Sequence, residues 1–191
     1  VEEEERQNVE LKPYNKDIRK NVMMPGNAKL RHVIVEERMK NLAQYAESCP
    51  LNTAEINSGK IGVITSGISY MYAKEALGDS VSYLKLGMVY PLPEKLIKDF
   101  AQKHEKVYVI EELDPFFEEY CKSIGIEVIG KDAFTLLGEY TPAMIKKAVL
   151  NENAAPYNTI DEEIPARPPV MCAGCPHRGT FYVLSKMGLT V

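Results

Sequence analysis

The densest group of chemically capable side chains lies near the end of the chain, in the turn from Cys172 to His177. Two thiols spaced as C-x-x-C and an imidazole two residues later supply three metal ligands, but no second C-x-x-C or H-x-x-x-H completes a zinc set. The same spacing at a helix N-terminus is typical of redox-active thiols. Alternatively, Gly174 and Pro176 shape a turn that brings backbone and small side chains close to a ligand. The residues alone leave all three interpretations open.

A pair of carboxylates, Glu111 and Glu112, ends a buried strand predicted over 107 to 111. Neighbouring carboxylates push each other's pKa apart, which general acid and base catalysis requires. Consecutive residues of a strand point to opposite faces, however, so the two carboxylates cannot easily share one site. The sequence therefore favours structural roles, in which one carboxylate faces solvent or an interface and the other caps a helix or pairs with a lysine.

Several motifs that would define an enzyme class are absent from the sequence. No G-x-G-x-x-G follows the first strand, no G-x-x-x-x-G-K-[ST] occurs, and there is no G-x-S-x-G nucleophile elbow. The turn at Ser66 and Gly67 can still offer backbone N–H groups to an anion. A small residue and a helix cap are needed at such a turn for steric reasons alone, so this feature is weak evidence for binding.

The stretch from Lys60 to Pro93 predicts the α/β sheet that would position these residues. The apolar runs 61 to 64 and 81 to 86 predict two buried strands. The helix between them begins after Ser66, which can cap it, and ends at Gly78. Its predicted buried face consists of Ile68, Met71, Tyr72 and Ala76. A strand-helix-strand unit with so short a connection is almost always parallel and right-handed.

The same pattern continues after this unit. A helix is predicted from Pro93 to about Lys103, the third strand at 107 to 111, another helix after Pro115 and a fourth strand at 126 to 129. Thr141 and Pro142 then begin a last helix, to about Leu150. Since ligands bind outside the carboxyl ends of parallel strands, the candidate rim of the sheet is 65 to 67, 87 to 88, 111 to 112 and 131 to 132.

The segments before and after the predicted sheet in the sequence show other patterns. The acidic run at 2 to 5 indicates a solvated segment, Asn27 can cap a long connecting helix over 28 to 48, and 51 to 59 is a polar linker. The proline-rich stretch 151 to 169 marks a domain boundary. After it, a strand at 170 to 171 and a helix at 180 to 187 begin a second domain.

The length, composition and charge of the chain limit the classes of function that it can have. The 191 residues, 45% of them hydrophobic, can bury one domain plus part of a second, and we expect a piece of a longer polypeptide. A net charge of -4 provides no field that would attract nucleic acid or an anionic membrane. No bilayer-spanning run and no leader sequence is present, so we expect a soluble, cytoplasmic chain whose four cysteines are reduced.

Several blocks of the sequence, in their order along the chain, resemble the α subunit of indolepyruvate:ferredoxin oxidoreductase, a thiamine-diphosphate-dependent 2-oxoacid oxidoreductase. The blocks are KIGVITSGISYMYAKEAL, YLKLGMVYPLPEKLI, GEYTPAMIKKAV and RPPVMCAGCPHRGTF. The resemblance covers most of the chain from about Asn27 onward. It implies an α/β fold with a three-layer, doubly wound, mostly parallel sheet, like the C-terminal domain of transketolase.

The resemblance also implies a division into domains. A linker and long connecting helix would occupy 1–57, and the transketolase-like domain would occupy 58–150. The proline-rich linker would span 151–169, and 170–191 would begin the pyrophosphate-binding domain of a thiamine diphosphate enzyme. The central domain would support subunit contacts and hold the two cofactor-binding domains in register.

For the thiol-bearing turn, the resemblance favours contact with thiamine diphosphate over metal ligation. The matching residues are Cys172, Gly174, Cys175, Pro176 and His177. No catalytic residue is expected in this chain, because the activating glutamate, the Mg²⁺-binding acidic motif and the cysteines of the 4Fe-4S clusters belong to other parts of the family's subunit. We therefore expect no cofactor bound to this chain alone, and no turnover.

For the full-length subunit, the resemblance implies oxidative decarboxylation of an aryl 2-oxoacid to an acyl-CoA, with electrons passed through the clusters to ferredoxin. The implied partners are the β subunit, ferredoxin, an aryl 2-oxoacid and CoA, with no nucleic acid and no membrane. Two alternatives remain. The chain could be a free-standing nucleotide- or CoA-binding module, or a scaffold in which the C-x-x-C pairs with Cys49 or Cys121 around a metal.

Overall fold

A computed structural model describes residues 10–57, 59–153, 163, 165–166 and 170–189. The chain divides into two compact units, 1–154 and 155–191. The acidic run at 2 to 5 and most of the proline-rich stretch lie outside the described residues, so the predictions made for them remain predictions.

The first unit contains six helices and four strands among its described residues. Its helices are α1 (Ile18–Asn21), α2 (Pro25–Ala46), α3 (Gly67–Leu77), α4 (Glu94–Ala101), α5 (Phe116–Ser123) and α6 (Pro142–Leu150). Its strands are β1 (Thr53–Glu55), β2 (Ile61–Thr65), β3 (Ser82–Lys85) and β4 (Lys106–Ile110). A single 3₁₀ turn, Gly78–Ser80, follows α3.

The four strands form one sheet in the order β1-β3-β2-β4. Strand β2 pairs in parallel with both β3 and β4, whereas β1 pairs antiparallel with β3. The predicted parallel strand-helix-strand unit is therefore confirmed. From β2 the chain passes to β3 on one side, and from β3 it crosses back to β4 on the other side of β2. The connections therefore lead in opposite directions, and this change of direction lies between β2 and β4.

The sheet is covered on both faces, because adjacent strand residues point to opposite sides. Val63 and Tyr83 lie in one hydrophobic cluster with residues of α3 and α6. Ile64 and Leu84 lie in a second cluster with residues of α4 and α5. Helices therefore pack on both faces of a mostly parallel sheet, which confirms the predicted three-layer α/β class.

The predicted buried face of α3 is wrong for two of its four residues, whereas Tyr72 and Ala76 do pack against the buried cluster. Ile68 and Met71 are more than half exposed, and the buried residues of the helix are Ser69, Ala73 and Leu77. The small side chains at two of these positions let the helix backbone approach the sheet, and the hydroxyl of Tyr83 on β3 donates to the carbonyl of Ala73 at 3.3 Å. Two of the three buried positions of α3 are therefore occupied by small residues.

Two strand assignments also need correction. The segment predicted as a polar linker contains β1, which the sequence did not indicate because it is only three residues long. The strand predicted at 126 to 129 is reduced to one bridge between Tyr108 and Ile129. The sheet keeps four strands, but its fourth member is the antiparallel edge strand β1.

Helix α2 begins earlier than predicted, at Pro25 rather than after an Asn27 cap. Asn27 lies inside the first turn, where its side-chain amide donates to the carbonyl of Val22 at 2.9 Å. Several apolar side chains of α2 are uncovered, since Leu30, Ile34 and Tyr45 are each at least half exposed. Where α2 ends, the Glu47 carboxylate accepts hydrogen bonds from two backbone N–H groups at the start of α4.

The second unit contains α7 (His177–Lys186) among its described residues. This helix begins three residues before the predicted start. The described residues Val170 and Met171 form no strand, contrary to the prediction, and Val170 is largely exposed. No helix of the described residues combines the length and the apolar character that crossing a membrane requires.

Candidate functional site

The predicted turn at 172 to 177 is present and closed by backbone hydrogen bonds. The N–H of Cys175 donates to the carbonyl of Cys172 at 3.1 Å, and the N–H of Arg178 donates to the carbonyl of Cys175 at 3.1 Å. Gly174 has a φ of 75°, in the left-handed region that favours glycine. The turn therefore leads directly into the N-terminus of α7, with the Cys175 side chain just ahead of the helix.

The structure brings two of the predicted site residues into contact. The sulfur of Cys175 lies 3.4 Å from Nδ1 of His177, within hydrogen-bonding distance for sulfur. Cys172 is exposed and Cys175 half-buried, so both thiols are open to reagents. The His177 ring lies 6.4 Å from the ring of Phe181, one turn along α7. The thiol and imidazole thus form a pair at the surface of the second unit.

The interpretation of the turn as a metal site would need a group of at least three ligand side chains. Across the described ranges, no three His, Cys, Asp or Glu residues are grouped to hold a metal ion. In the alternative with a scaffold metal, Cys49 or Cys121 would supply a further thiol, and both are buried in the first unit.

The turn is open on the side of Gly174 and carries no carboxylate. A side chain built on Gly174 would meet no atom within 4 Å, so the space beside the turn is open. The residues from 170 to 189 include no Asp or Glu. Mg²⁺ is held by oxygen ligands, so a magnesium-bound diphosphate would need carboxylates from outside this segment. The turn itself therefore supplies no carboxylate ligand to a metal.

In the first unit, the carboxyl ends of β2 and β4 lie side by side at the point where the chain connections change direction. This is the usual position of a ligand in an open α/β sheet. The hydroxyl of Thr65 donates to the carbonyl of Ile110 at 2.8 Å and joins the two strand ends. Ser66 occupies the N-cap position of α3, as predicted, but its hydroxyl makes no capping hydrogen bond. Anion binding at this turn stays a prediction.

The rim after β3 is occupied by a side chain that the sequence did not single out. The side-chain oxygen of Asn52 accepts hydrogen bonds from the N–H groups of Gly87, at 3.0 Å, and Met88, at 2.9 Å. Its amide donates to the carbonyl of Ala46 at 2.9 Å, at the end of α2. Two backbone donors at the predicted rim are therefore used inside the fold. Asparagine in a polar linker is the only sequence signal for this role.

Glu111 acts as a helix cap, as the structural interpretation predicted. Its two carboxylate oxygens accept hydrogen bonds from the N–H groups of Phe117, at 2.8 Å, and Glu118, at 3.0 Å. Burial raises the pKa of Glu111, and the two N–H groups only partly oppose this effect. Its neighbour Glu112 accepts the N–H of Tyr140 at 2.8 Å. Both carboxylates are therefore engaged in structure rather than placed for acid-base chemistry.

Lys131, another residue of the predicted rim, is also used internally. Its ammonium donates to the carbonyl of Glu111 and to the hydroxyl of Tyr140, the latter at 3.0 Å. Its N–H donates to the carboxylate of Glu118 at 2.8 Å, and the ammonium of Lys122 donates to the same carboxylate at 2.6 Å. Burial works to raise the pKa of Glu118, but these donors together lower it. The network fastens the 130 to 140 loop to the end of β4.

No family model matches the chain. Among solved structures, the chain resembles the 2-oxoglutarate:ferredoxin oxidoreductase from Magnetococcus marinus, determined with 2-oxoglutarate, coenzyme A and succinyl-CoA bound. The TM-score is 0.53 at 20% sequence identity, over 68% of this chain and 24% of that chain. This likeness shows a shared fold, a mostly parallel α/β sheet.

Sequence comparison with curated proteins is more specific. The chain is 34% identical over 183 residues to the indolepyruvate oxidoreductase subunit IorA of Archaeoglobus fulgidus, and 33% identical over 195 residues to IorA of Thermococcus kodakarensis. These alignments cover 87% and 91% of this chain but only 29% and 30% of the relatives. The chain thus spans about a third or less of the length of the subunits it matches.

The relatives define the class of protein to which the chain is similar, subunits of an indolepyruvate oxidoreductase, and the fold shared with a 2-oxoacid:ferredoxin oxidoreductase agrees with this class. Within that class, the resemblance to the α subunit of indolepyruvate:ferredoxin oxidoreductase is confirmed, and the chain corresponds to one segment of IorA.

Proposed function

We propose that the chain is a positioning segment of an α subunit that oxidatively decarboxylates aryl 2-oxoacids to acyl-CoA. The observation that carries this proposal is the alignment of about nine-tenths of the chain with about 30% of IorA. A segment of that size supplies part of a subunit, and the remaining parts would supply the rest of the catalytic machinery.

The sheet unit contributes position rather than chemistry. At the carboxyl rim, Asn52, Glu111 and Lys131 are all bonded to backbone or side-chain atoms of the unit itself. These bonds fix the strand ends and the loops that leave them. Multi-domain catalysis depends on such rigidity, because a displacement of about 1 Å can cost roughly a hundredfold in rate.

The turn of the second unit is the part that we place beside thiamine diphosphate. Cys172, Gly174, Cys175, Pro176 and His177 would line the cofactor, with Gly174 giving close backbone approach and the thiol and imidazole giving polar contacts. Thiamine diphosphate supplies an electron sink for decarboxylation when it is bound. Mg²⁺ ligands and 4Fe-4S clusters would come from residues outside this chain.

The names of the relatives and of the structural neighbour support the substrates and partners of the proposal. The relatives are named for indolepyruvate, and the structural neighbour was determined with a 2-oxoacid and coenzyme A. We therefore assign an aryl 2-oxoacid and CoA as substrates, with ferredoxin as electron acceptor and a β subunit as partner.

A segment exchange tests the proposal. The matching segment of Thermococcus kodakarensis IorA is replaced by this chain, the enzyme is assembled with its other subunit, and indolepyruvate-dependent reduction of ferredoxin is measured. We expect the chimaera to be active, and to lose affinity for thiamine diphosphate when His177→Ala and Cys175→Ala are combined in it. A correctly assembled chimaera with no activity would contradict the proposal.

Calorimetry on the chain alone separates the proposal from the binding-module alternative. Titration with CoA, ADP and thiamine diphosphate is expected to give no heat for any of them, because the rim donors at Gly87, Met88 and Lys131 are already bonded internally. Saturable heat with CoA or ADP at equimolar stoichiometry would favour a free-standing binding module instead.

A further inference from the structure

The loops that leave the carboxyl ends of the parallel strands carry exposed apolar side chains. Each of the strands β2, β3 and β4 is followed by two large apolar residues, which are between 42% and 70% exposed. We call these residues the carboxyl-side patch. They are Ile68 and Met71 after β2, Val89 and Tyr90 after β3, and Leu113 and Phe116 after β4.

The opposite edge of the sheet has a different surface. The segments that lead into the same three strands are 56–60, 78–81 and 102–105. Their exposed residues include Asp79 and Glu105, and among their described residues Ile56 is the one exposed large apolar side chain. Single exposed apolar residues are normal on a protein surface, whereas a concentration of them marks an interaction site. The carboxyl edge is therefore the candidate interface of this unit.

A groove of about 540 Å³ joins part of the carboxyl-side patch to the end of α2. Tyr90 and Phe116 both line it, together with Tyr120 of α5. Ala43 and Gln44, near the end of α2, line the same groove. Side chains from the loops after β3 and β4 thus share one surface with the end of α2.

Leu113 is a residue that the first unit alone does not explain. Its φ is 60°, in the left-handed region that glycine and asparagine adopt most readily. Its side chain is 65% exposed, so the leucine gains little burial inside the unit. Both the backbone conformation and the exposure favour a small or polar residue here. Contact with a partner would give the leucine side chain a reason to be present.

A small polar ligand fits this edge poorly, although ligands usually bind there in open α/β sheets. The N–H groups of Gly87 and Met88 already donate to Asn52, and the ammonium of Lys131 is bonded within the unit. The patch itself offers apolar area and, from Tyr90, one hydroxyl. Apolar and aromatic side chains of this kind form the core of protein interfaces.

Two observations bear on which protein segment covers the patch. The alignments reach only 29% and 30% of the IorA relatives, so the greater part of such a subunit lies outside this chain. In addition, α2 is fastened to the same edge, because Glu47 accepts two backbone N–H groups at the start of α4. Leu30 and Ile34 of α2 are also uncovered. A body lying along α2 and this edge would cover both apolar surfaces.

We propose that the carboxyl-side patch is the docking surface for another part of the same α subunit, outside these 191 residues. That part covers the patch with apolar side chains and leaves the opposite edge of the sheet in solvent. This inference rests on the proposed function in one respect, namely that the chain is a segment of an α subunit. It adds the edge of the sheet through which the segment is held.

Hydroxyl-radical footprinting with mass spectrometry tests the proposal. The modification rates of Met71, Tyr90 and Phe116 are compared between the isolated chain and the chimaeric IorA subunit that carries it. We expect these side chains to react about tenfold more slowly in the subunit, because the core of an interface excludes water. Ile56 is 54% exposed and Met71 is 56% exposed, so Ile56 is the matched control at the opposite edge and should react equally in both proteins.

Unchanged rates at the patch in the subunit would overturn the proposal. Slow modification of the patch in the isolated chain would also overturn it, since a second copy or the chain itself would then be the occupant. Ferredoxin reduction is measured on the same sample. An active chimaera with an unprotected patch refutes the docking surface alone, whereas a protected patch in an inactive chimaera supports the docking surface and contradicts the proposed function.

A double variant tests the contribution of the patch without disturbing the fold. Met71→Gln keeps a good helix former in α3, and Leu113→Asn suits the left-handed backbone. We expect the isolated double variant to unfold at the parent's urea concentration. In the chimaera, Tyr90 and Phe116 should regain the modification rates of the isolated chain, whereas Ile56→Gln should leave them protected. Full protection in the double variant would refute the proposal.

Discussion

Glu111 accepts a hydrogen bond of 2.8 Å from the backbone N–H of Phe117, and this bond joins the end of β4 to the first turn of α5. The second carboxylate oxygen accepts the N–H of Glu118 at 3.0 Å. Pro115, at the N-cap position, provides no side-chain cap for the helix. Glu111 therefore satisfies, from the neighbouring strand, donors that the helix leaves open.

Glu111→Ala should destabilise the first unit by about 2–3 kcal/mol, since it leaves two buried N–H groups without an acceptor. Urea unfolding followed by circular dichroism measures this loss. Glu119→Ala, at an exposed position of the same helix, is the control and should change the free energy of unfolding by less than about 0.5 kcal/mol. Equal effects of the two changes would contradict the capping role.

How much of this arrangement could be predicted differs from element to element. Strands β2 and β3 were evident because their apolar runs are local in sequence and bounded by turn residues. The start of α6 was equally evident, and the Thr141 hydroxyl does accept the N–H of Met144, at 3.3 Å. The turn at 172 to 177 was predicted from glycine and proline.

The features that were missed depend on contacts distant in sequence. Strand β1 has three residues and exists because it pairs with β3, which begins 27 residues after the end of β1. The buried face of α3 depends on how closely the helix approaches the sheet, so Ser69 and Ala73 are buried in preference to Ile68. Neither periodicity nor propensity contains this information.

Gly130 is close to a carboxylate that cannot easily move. A Cβ on this residue would lie 2.2 Å from Oε2 of Glu118. That carboxylate is bonded to Lys122 and Lys131 and is almost fully buried. Gly130→Ala should therefore cost about 1–3 kcal/mol of stability, as expected for overpacking.

The control for Gly130→Ala is Gly26→Ala, because a Cβ on Gly26 would meet no atom within 4 Å. Gly26 lies in the first turn of α2, where alanine is the better helix former by up to about 1 kcal/mol. Thermal unfolding should show a lower midpoint for the first variant and an unchanged or higher midpoint for the second. A Gly130→Ala chain as stable as the parent would show that the Glu118 carboxylate moves freely.

Glu55 and Lys74 predict an acid-sensitive contribution to stability. The Lys74 ammonium lies 2.7 Å from the Glu55 carboxylate, and the Tyr70 hydroxyl also donates to it. These two donors, chiefly Lys74, lower the pKa of Glu55 below its ordinary value of 4.5. The folded state therefore binds fewer protons than the unfolded state just below that value, and the stabilisation present above it is lost as the pH falls.

Glu55→Gln should flatten this loss. We expect the variant to be less stable than the parent by about 0.5–1 kcal/mol at neutral pH, because both side chains are about a third exposed and water screens the pair. The difference should shrink as urea unfolding is repeated down to about pH 3. Glu75→Gln, on the exposed side of α3, is the control and should show the parent's pH dependence. A difference that grows on acidification would contradict the sign.

Asn52 allows a prediction about one small region, because its side chain forms hydrogen bonds with three backbone groups, one at the end of α2 and two after β3. It accepts the N–H groups of Gly87 and Met88 and donates to the carbonyl of Ala46. Asn52→Ala should cost about 1–2 kcal/mol, less than three full hydrogen bonds because water can reach part of this rim. Hydrogen exchange should quicken at the amides of Gly87 and Met88 while the amides of β2 keep their protection. Asn41→Ala, at an exposed position of α2, is the control and should change neither the stability nor the exchange rates appreciably. Unchanged exchange at Gly87 in the Asn52 variant would show that the Asn52 side chain does not hold the segment after β3.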